Sequence, residues 1–233
     1  MTLSPQRNAG FTLLEILLAV FLFGTVAALI FGFFNGVVDN VQATDKTLSQ
    51  YQAARTCLMR MVEDFQAIRV TLPPAYSRPE GKDDLDPLRV EAKQEAGGSF
   101  TVRFASAAHV DLTGTDRPGL ARIRYYVAES FDDPDRLDLF REDTPAFDLF
   151  DPEPVRDPVL CPGVESVSFT FVDQDGNTHE EWNSEDAQYG YATPRAVEIT
   201  LKLAPESEDG EPAAFSTRVN LPAYRDGVSE ERR

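Results

Sequence analysis

The chain begins polar and then turns apolar: from Ile16 to Phe34 nineteen consecutive residues carry no charge. At about 1.5 Å per residue, a helix of that length comes close to crossing a hydrocarbon layer of roughly 30 Å. Residues 11–34 therefore predict a transmembrane helix. Beyond it, Leu48, Tyr51, Ala54, Leu58, Met61, Val62, Phe65 and Ile68 keep the spacing of one helix face. Pro73 and Pro74 stop the pattern. One helix is expected from about Phe11 to about Val70, with Gly24, Gly32 and Gly36 as places where it could break.

The spacing then changes to the alternation of strands. From Thr71 to Ala96 the chain is rich in Pro, Asp and Arg, which predicts a long loop with a short strand at Leu88 to Glu91. Alternating apolar sets follow at Phe100, Val102 and Phe104, at Ile123, Tyr125 and Val127, and at Val167, Phe169 and Phe171. Two more run through Val197, Ile199, Leu201 and Leu203, and through Phe215, Thr217, Val219 and Leu221. Leu137 and Leu139 add a short strand. Asp132 to Asp135 and Asp143 to Pro158 read as loops, and Asp226 to Arg233 as a disordered acidic tail. The expectation is an α+β domain over residues 35–225, in which the late part of the helix lies on two antiparallel sheets or one strongly curved sheet.

Charge narrows the function. A formal net charge of -17 argues against nucleic acid as a partner, because phosphate neutralisation needs clustered Lys and Arg. Cys57 and Cys161 are the two cysteines. They are too far apart for a C-x-x-C metal motif, and could form one disulfide in an oxidising compartment or remain two buried thiols.

One acid breaks the apolar pattern. Glu15 stands between Leu14 and Ile16, and a charge at the centre of a spanning helix costs on the order of 2.5 to 3.5 kcal/mol, less near an end. The plausible processing point, Gly10, precedes the apolar run rather than following it as in an ordinary secretory signal. Cleavage there would remove the leader, keep the helix and leave a protonated amine on Phe11, four residues from Glu15. That amine could pair with Glu15 of the same helix or of a neighbour. Arg7 on the leader side and Asp39 and Asp45 beyond the span keep the leader cytoplasmic and send the rest across.

The block Gly10-Phe11-Thr12-Leu13-Leu14-Glu15, with the apolar run behind it, resembles the signal of type IV pilins and type II secretion pseudopilins. The resemblance implies that a prepilin peptidase cuts between Gly10 and Phe11 and methylates the Phe11 amine, and that Glu15 guides assembly into a filament. Weaker blocks resemble the minor pseudopilin J family of the type II secretion system. They are Arg60 with Glu63-Asp64-Phe65-Gln66, Arg122-Ile123-Arg124-Tyr125, Leu139-Phe140-Arg141, Gly163-Val164-Glu165-Ser166-Val167, and Pro194-Arg195-Ala196-Val197-Glu198-Ile199. This implies a structural subunit at the tip of a short periplasmic filament, anchored by a single pass in a bacterial inner membrane. Its implied partners are the I-type and K-type minor pseudopilins, the major pseudopilin, the peptidase and the inner-membrane assembly platform.

Catalytic chemistry finds no support. His109 and His179 lie near no nucleophile motif, and no phosphate-cradling glycine loop appears. No cofactor is implied. Asp173-Gln174-Asp175-Gly176-Asn177 starts like a calcium loop, but its glycine falls at position four and position twelve is Ser184. It reads instead as a hairpin turn. Glu180, Glu181 and Glu185 near His179 could mimic a metal cluster but read as a solvated strand end or loop. A minor pilin of a surface pilus, with an assembly or adhesive role, is the competing function, and an anchored periplasmic enzyme the more distant one.

Overall fold

The computed structural model describes residues 12–81, 84–94, 100–109, 119–145, 156–205 and 212–227, apart from the side chains of 34–47 and 49. The proposed cut between Gly10 and Phe11 and the tail from 228 onward lie outside these residues.

Helix α1, Leu13–Gln66, runs unbroken through Gly24, Gly32 and Gly36. The chain forms two compact units, one ending at Tyr51 and one beginning at Gln52. In the first, Leu13–Phe33 is long and apolar enough to span a membrane, with its apolar side chains exposed. In the second, α1 buries Ala54, Cys57, Met61 and Phe65. Leu48 and Tyr51, expected on the same buried face, are more than half exposed.

The helix ends at Gln66 rather than at Val70. Ile68 is needed elsewhere: β1, Ile68–Arg69, pairs with β3, Phe100–Ser106, placing Ile68 opposite Ser106. Strand β3 also satisfies carbonyls that a helix end leaves free. The Ser106 hydroxyl donates to the Asp64 carbonyl at 2.8 Å, and the Ala107 N–H to the Ala67 carbonyl at 2.9 Å.

The other strands are β2 (Glu91–Gln94), β4 (Ala121–Glu129), β5 (Leu137–Pro145), β6 (Val159–Val172), β7 (Thr178–His179), β8 (Trp182–Asn183), β9 (Ala196–Leu203) and β10 (Ala213–Asn220). They form a single antiparallel sheet in the order β10-β9-β6-β5-β4-β3-β2-β8, with β1 on β3 and β7 on β6. The α+β expectation holds, with one sheet rather than two. The short strand expected at Leu88 starts later, at Glu91. The one expected at Leu137 continues through Asp143 to Pro145, into residues read as loop, because all nine of its residues pair with β4.

The faces alternate as the sequence predicts. Val102, Phe104, Ile123, Tyr125, Leu139, Phe169, Ile199 and Leu201 form one core with the α1 residues. Phe65 stacks on Phe104 with ring centroids 4.3 Å apart. Between β5 and β6 the register shifts, and Gly163 takes a left-handed φ of 64° there while its N–H donates to Asp138 at 2.9 Å.

Candidate functional site

The membrane segment is built around its first turn. Thr12 precedes the helix, and its hydroxyl accepts the Glu15 N–H at 3.3 Å. Thr12-Leu13-Leu14-Glu15 is thus a T-x-x-E capping sequence, which places the acid where the helix dipole favours negative charge. Glu15 is not deep in the span; it occupies the first turn of α1 and is exposed. The T-x-x-E spacing of Thr12 and Glu15 carries this capping signal in the sequence itself.

In the second unit, α1 is fastened to the sheet by two devices. One is covalent. Cys57 on α1 and Cys161 on β6 form a disulfide with Cα atoms 5.7 Å apart and a sequence separation of 104. Closing a loop of about 100 residues removes much denatured-state entropy, so reduction or Cys57→Ser should lower stability by about 2–4 kcal/mol, read as the shift in urea midpoint with and without reductant.

The other device is ionic. Asp64 sits on the core side of α1 with no exposure. Across from it, the inward face of β5 changes from Leu139 to Arg141. Arg141 grips Asp64 bidentately, Nε to Oδ2 at 2.7 Å and Nη2 to Oδ1 at 3.0 Å. Tyr125 on β4 donates its hydroxyl to the same carboxylate, and Arg60, one turn earlier on α1, approaches Oδ1 at 2.9 Å. Arg141 also donates to Asp143 at 2.7 Å, and Asp143 meets His109 Nδ1 at 2.6 Å. Two arginines thus offset two buried carboxylates.

This network shifts the Tyr125 hydroxyl well above its ordinary range, through burial first and then the charge and hydrogen bond of Asp64, against a smaller opposing effect of Arg141. Burial likewise pushes Tyr76 up to about 12, partly offset by Arg225. Above pH 10 the unfolded chain releases tyrosine protons that the folded chain retains, so stability falls as pH rises. Melting temperature should drop steadily as pH rises from about 10 to about 12, with a shallower slope in Tyr125→Phe.

A second buried arginine was not anticipated. Arg225, 1% exposed, holds the C-terminal segment against two carboxylates, Asp86 at 3.0 Å and Glu185 at 2.9 Å. It also donates to the carbonyls of Thr71, Ser184 and Tyr191, and its guanidinium lies 3.3 Å from the Tyr76 ring centroid. Glu185 is therefore a buried ion-pair partner rather than part of a solvated strand end or loop. Asp226, read as the start of the tail, pairs with Arg195 at 2.5 Å.

The remaining candidates have local roles. At the β6–β7 hairpin, Asp173 accepts from the Asp175 and Asn177 N–H groups, from Asn177 Nδ2, and meets His179 Nε2 at 3.0 Å. Burial opposes ionisation of Asp173, but these hydrogen bonds prevail and hold its carboxyl well below the usual range. Its oxygens are engaged in the turn, and Gly176 supplies the left-handed φ of 87°.

Three of the five blocks of the J resemblance converge: Arg60 and Asp64, Tyr125, and Arg141 all belong to the buried network. The family model for type II secretion system protein J matches residues 32–208. The prokaryotic N-terminal methylation motif matches residues 5–31. The chain therefore belongs to the type II secretion system protein J family, as a membrane-anchored minor pseudopilin.

Proposed function

We propose that this subunit is cut between Gly10 and Phe11, methylated on the Phe11 amine, and assembled with the I-type and K-type minor pseudopilins at the tip of a periplasmic filament that supports protein export. The observation that carries the reading is Glu15 in the first turn of an otherwise uncharged 21-residue span. A carboxylate there has a helix cap on one side, and a new amine from cleavage would give it a full counter-charge in the bilayer. In a bundle, pairing with a neighbour's amine would set the axial stagger between subunits.

The Cys57–Cys161 disulfide supports a periplasmic domain, since such bonds persist in oxidising compartments. The mechanism is mechanical: the helix holds the filament core while the clamped sheet presents lateral surfaces to its neighbours. The processing step is tested by Gly10→Leu. The variant should retain the leader, migrate more slowly on a gel and lack the N-methyl mark at Phe11 by mass spectrometry; normal processing would contradict the cut.

A further inference from the structure

The two ends of the sheet are finished differently. At one end lies β8, two residues long, and short edge strands are a common protection against unwanted pairing. At the other lies β10, whose eight residues pair with β9 without a register shift. The Leu221 N–H bonds the Arg195 carbonyl in the same register, so the odd-numbered residues of β10 bond to β9. Ala214, Ser216, Arg218 and Asn220 therefore direct their N–H and C=O groups away from the sheet. No described residue bonds to these main-chain groups, and all four side chains are exposed.

Among the described residues none protects this edge. Ala213–Asn220 holds no Pro, no Lys and no bulge. Its single charge, Arg218, pairs with Glu198 at 3.1 Å on the adjacent strand. An unguarded run of about 27 Å is a template for a further strand. It also lacks acids, in a chain that has 39 of them.

We propose that β10 is an assembly edge that accepts an extended segment of a different, less acidic filament subunit as an additional strand. A second copy of this chain is disfavoured because it would bring its own charge of -17 against the first. Main-chain pairing is modest per bond, but subunits anchored in one membrane meet at high effective concentration, which makes an edge of this length sufficient. The inference rests on the pseudopilin reading and names a surface through which that assembly occurs.

The test uses the full-length chain in detergent, alone and co-expressed with the other pseudopilins of its system, followed by residue-resolved amide hydrogen exchange. In the isolated chain the amides of Ala214, Ser216, Arg218 and Asn220 should exchange quickly. In the complex all four should slow by at least roughly tenfold, while the odd-numbered amides, already bonded, change little. Ser216→Pro removes an outward N–H and no main-chain bond to β9, and should reduce recovered complex by roughly tenfold; Ser216→Ala, which gives up the same exposed hydroxyl contact with Thr200 at 3.0 Å, should leave recovery unchanged. Should Ser216→Pro misfold, the exchange pattern of the unmodified chain decides.

Equal exchange of the four amides in a complex that does form would overturn the edge and leave the pseudopilin reading standing. Protection that grows with concentration of the chain alone would overturn the hetero-subunit partner in favour of a second copy. Normal export in cells lacking the chain would instead remove the tip reading, and the edge proposal with it.

Discussion

Asp64→Ala is expected to destabilise the protein by about 3–5 kcal/mol, measured as the loss in unfolding free energy by urea titration of the full-length chain. Removing this carboxylate leaves Arg141, itself buried, without its bidentate partner, and leaves the Tyr125 hydroxyl without an acceptor. Asp143 remains beside Arg141, but it is also engaged with His109 and does not replace the lost geometry. The cost is that of an uncompensated charge in the core, which exceeds the value of the pair itself. Asp64→Leu combined with Arg141→Met should therefore recover much of the stability, since a buried ion pair replaced by apolar groups of similar volume is often neutral. A loss below about 1 kcal/mol in Asp64→Ala would show that water solvates the arginine and that the clamp is not a core element.

Glu15→Gln is expected to abolish assembly while leaving the fold intact. Glutamine retains the capping geometry that Thr12 begins, but it cannot attract a protonated amine. Exported protein should fall to background and the subunit should disappear from complexes isolated with its neighbours, with the melting transition of the domain unchanged. Export at the normal level in Glu15→Gln would limit the residue to helix capping and remove its role between subunits. The uncharged variant is more informative than Glu15→Ala, which removes the capping contribution and the charge together.

Why some of this was legible in sequence and some not follows from the range of the interactions. The span from Ile16 to Phe34 needs no tertiary contact to be recognised, because the bilayer demands continuous apolar length. The strands from Phe100 to Leu221 announce themselves through alternation, since one sheet face must meet the core. The helix end was misplaced by four residues because Ile68 satisfies a helix face and a strand position equally well, and the pairing partner at Ser106 decides between them. Strand β5 was underestimated because Arg141 and Asp143 break apolar alternation with charges that only Asp64 and His109, distant in sequence, make tolerable.

Arg225 illustrates the same limit. It is the last residue of the expected domain, directly before the segment read as a tail, and nothing within ten residues indicates that Asp86 and Glu185 will surround it. The block resemblances fared better. Arg60, Asp64, Tyr125 and Arg141 were visible as separate pieces, and the fold supplies the reason they occur together, a single carboxylate approached from α1, β4 and β5.

By itself, the sequence determined the membrane span, the acid at its start, the helix followed by strands and the face that the long alternating strands bury, because those depend on local period and on the cost of charge in an apolar medium. The tertiary structure alone decided that the strands form one sheet with a short end at β8 and an open one at β10. It also decided that Cys57 meets Cys161, and that Asp64 and Arg225 are buried ions rather than surface charges. Those outcomes depend on which residues far apart in the chain are brought within a few ångströms, where desolvation makes a charge either paired or prohibitive.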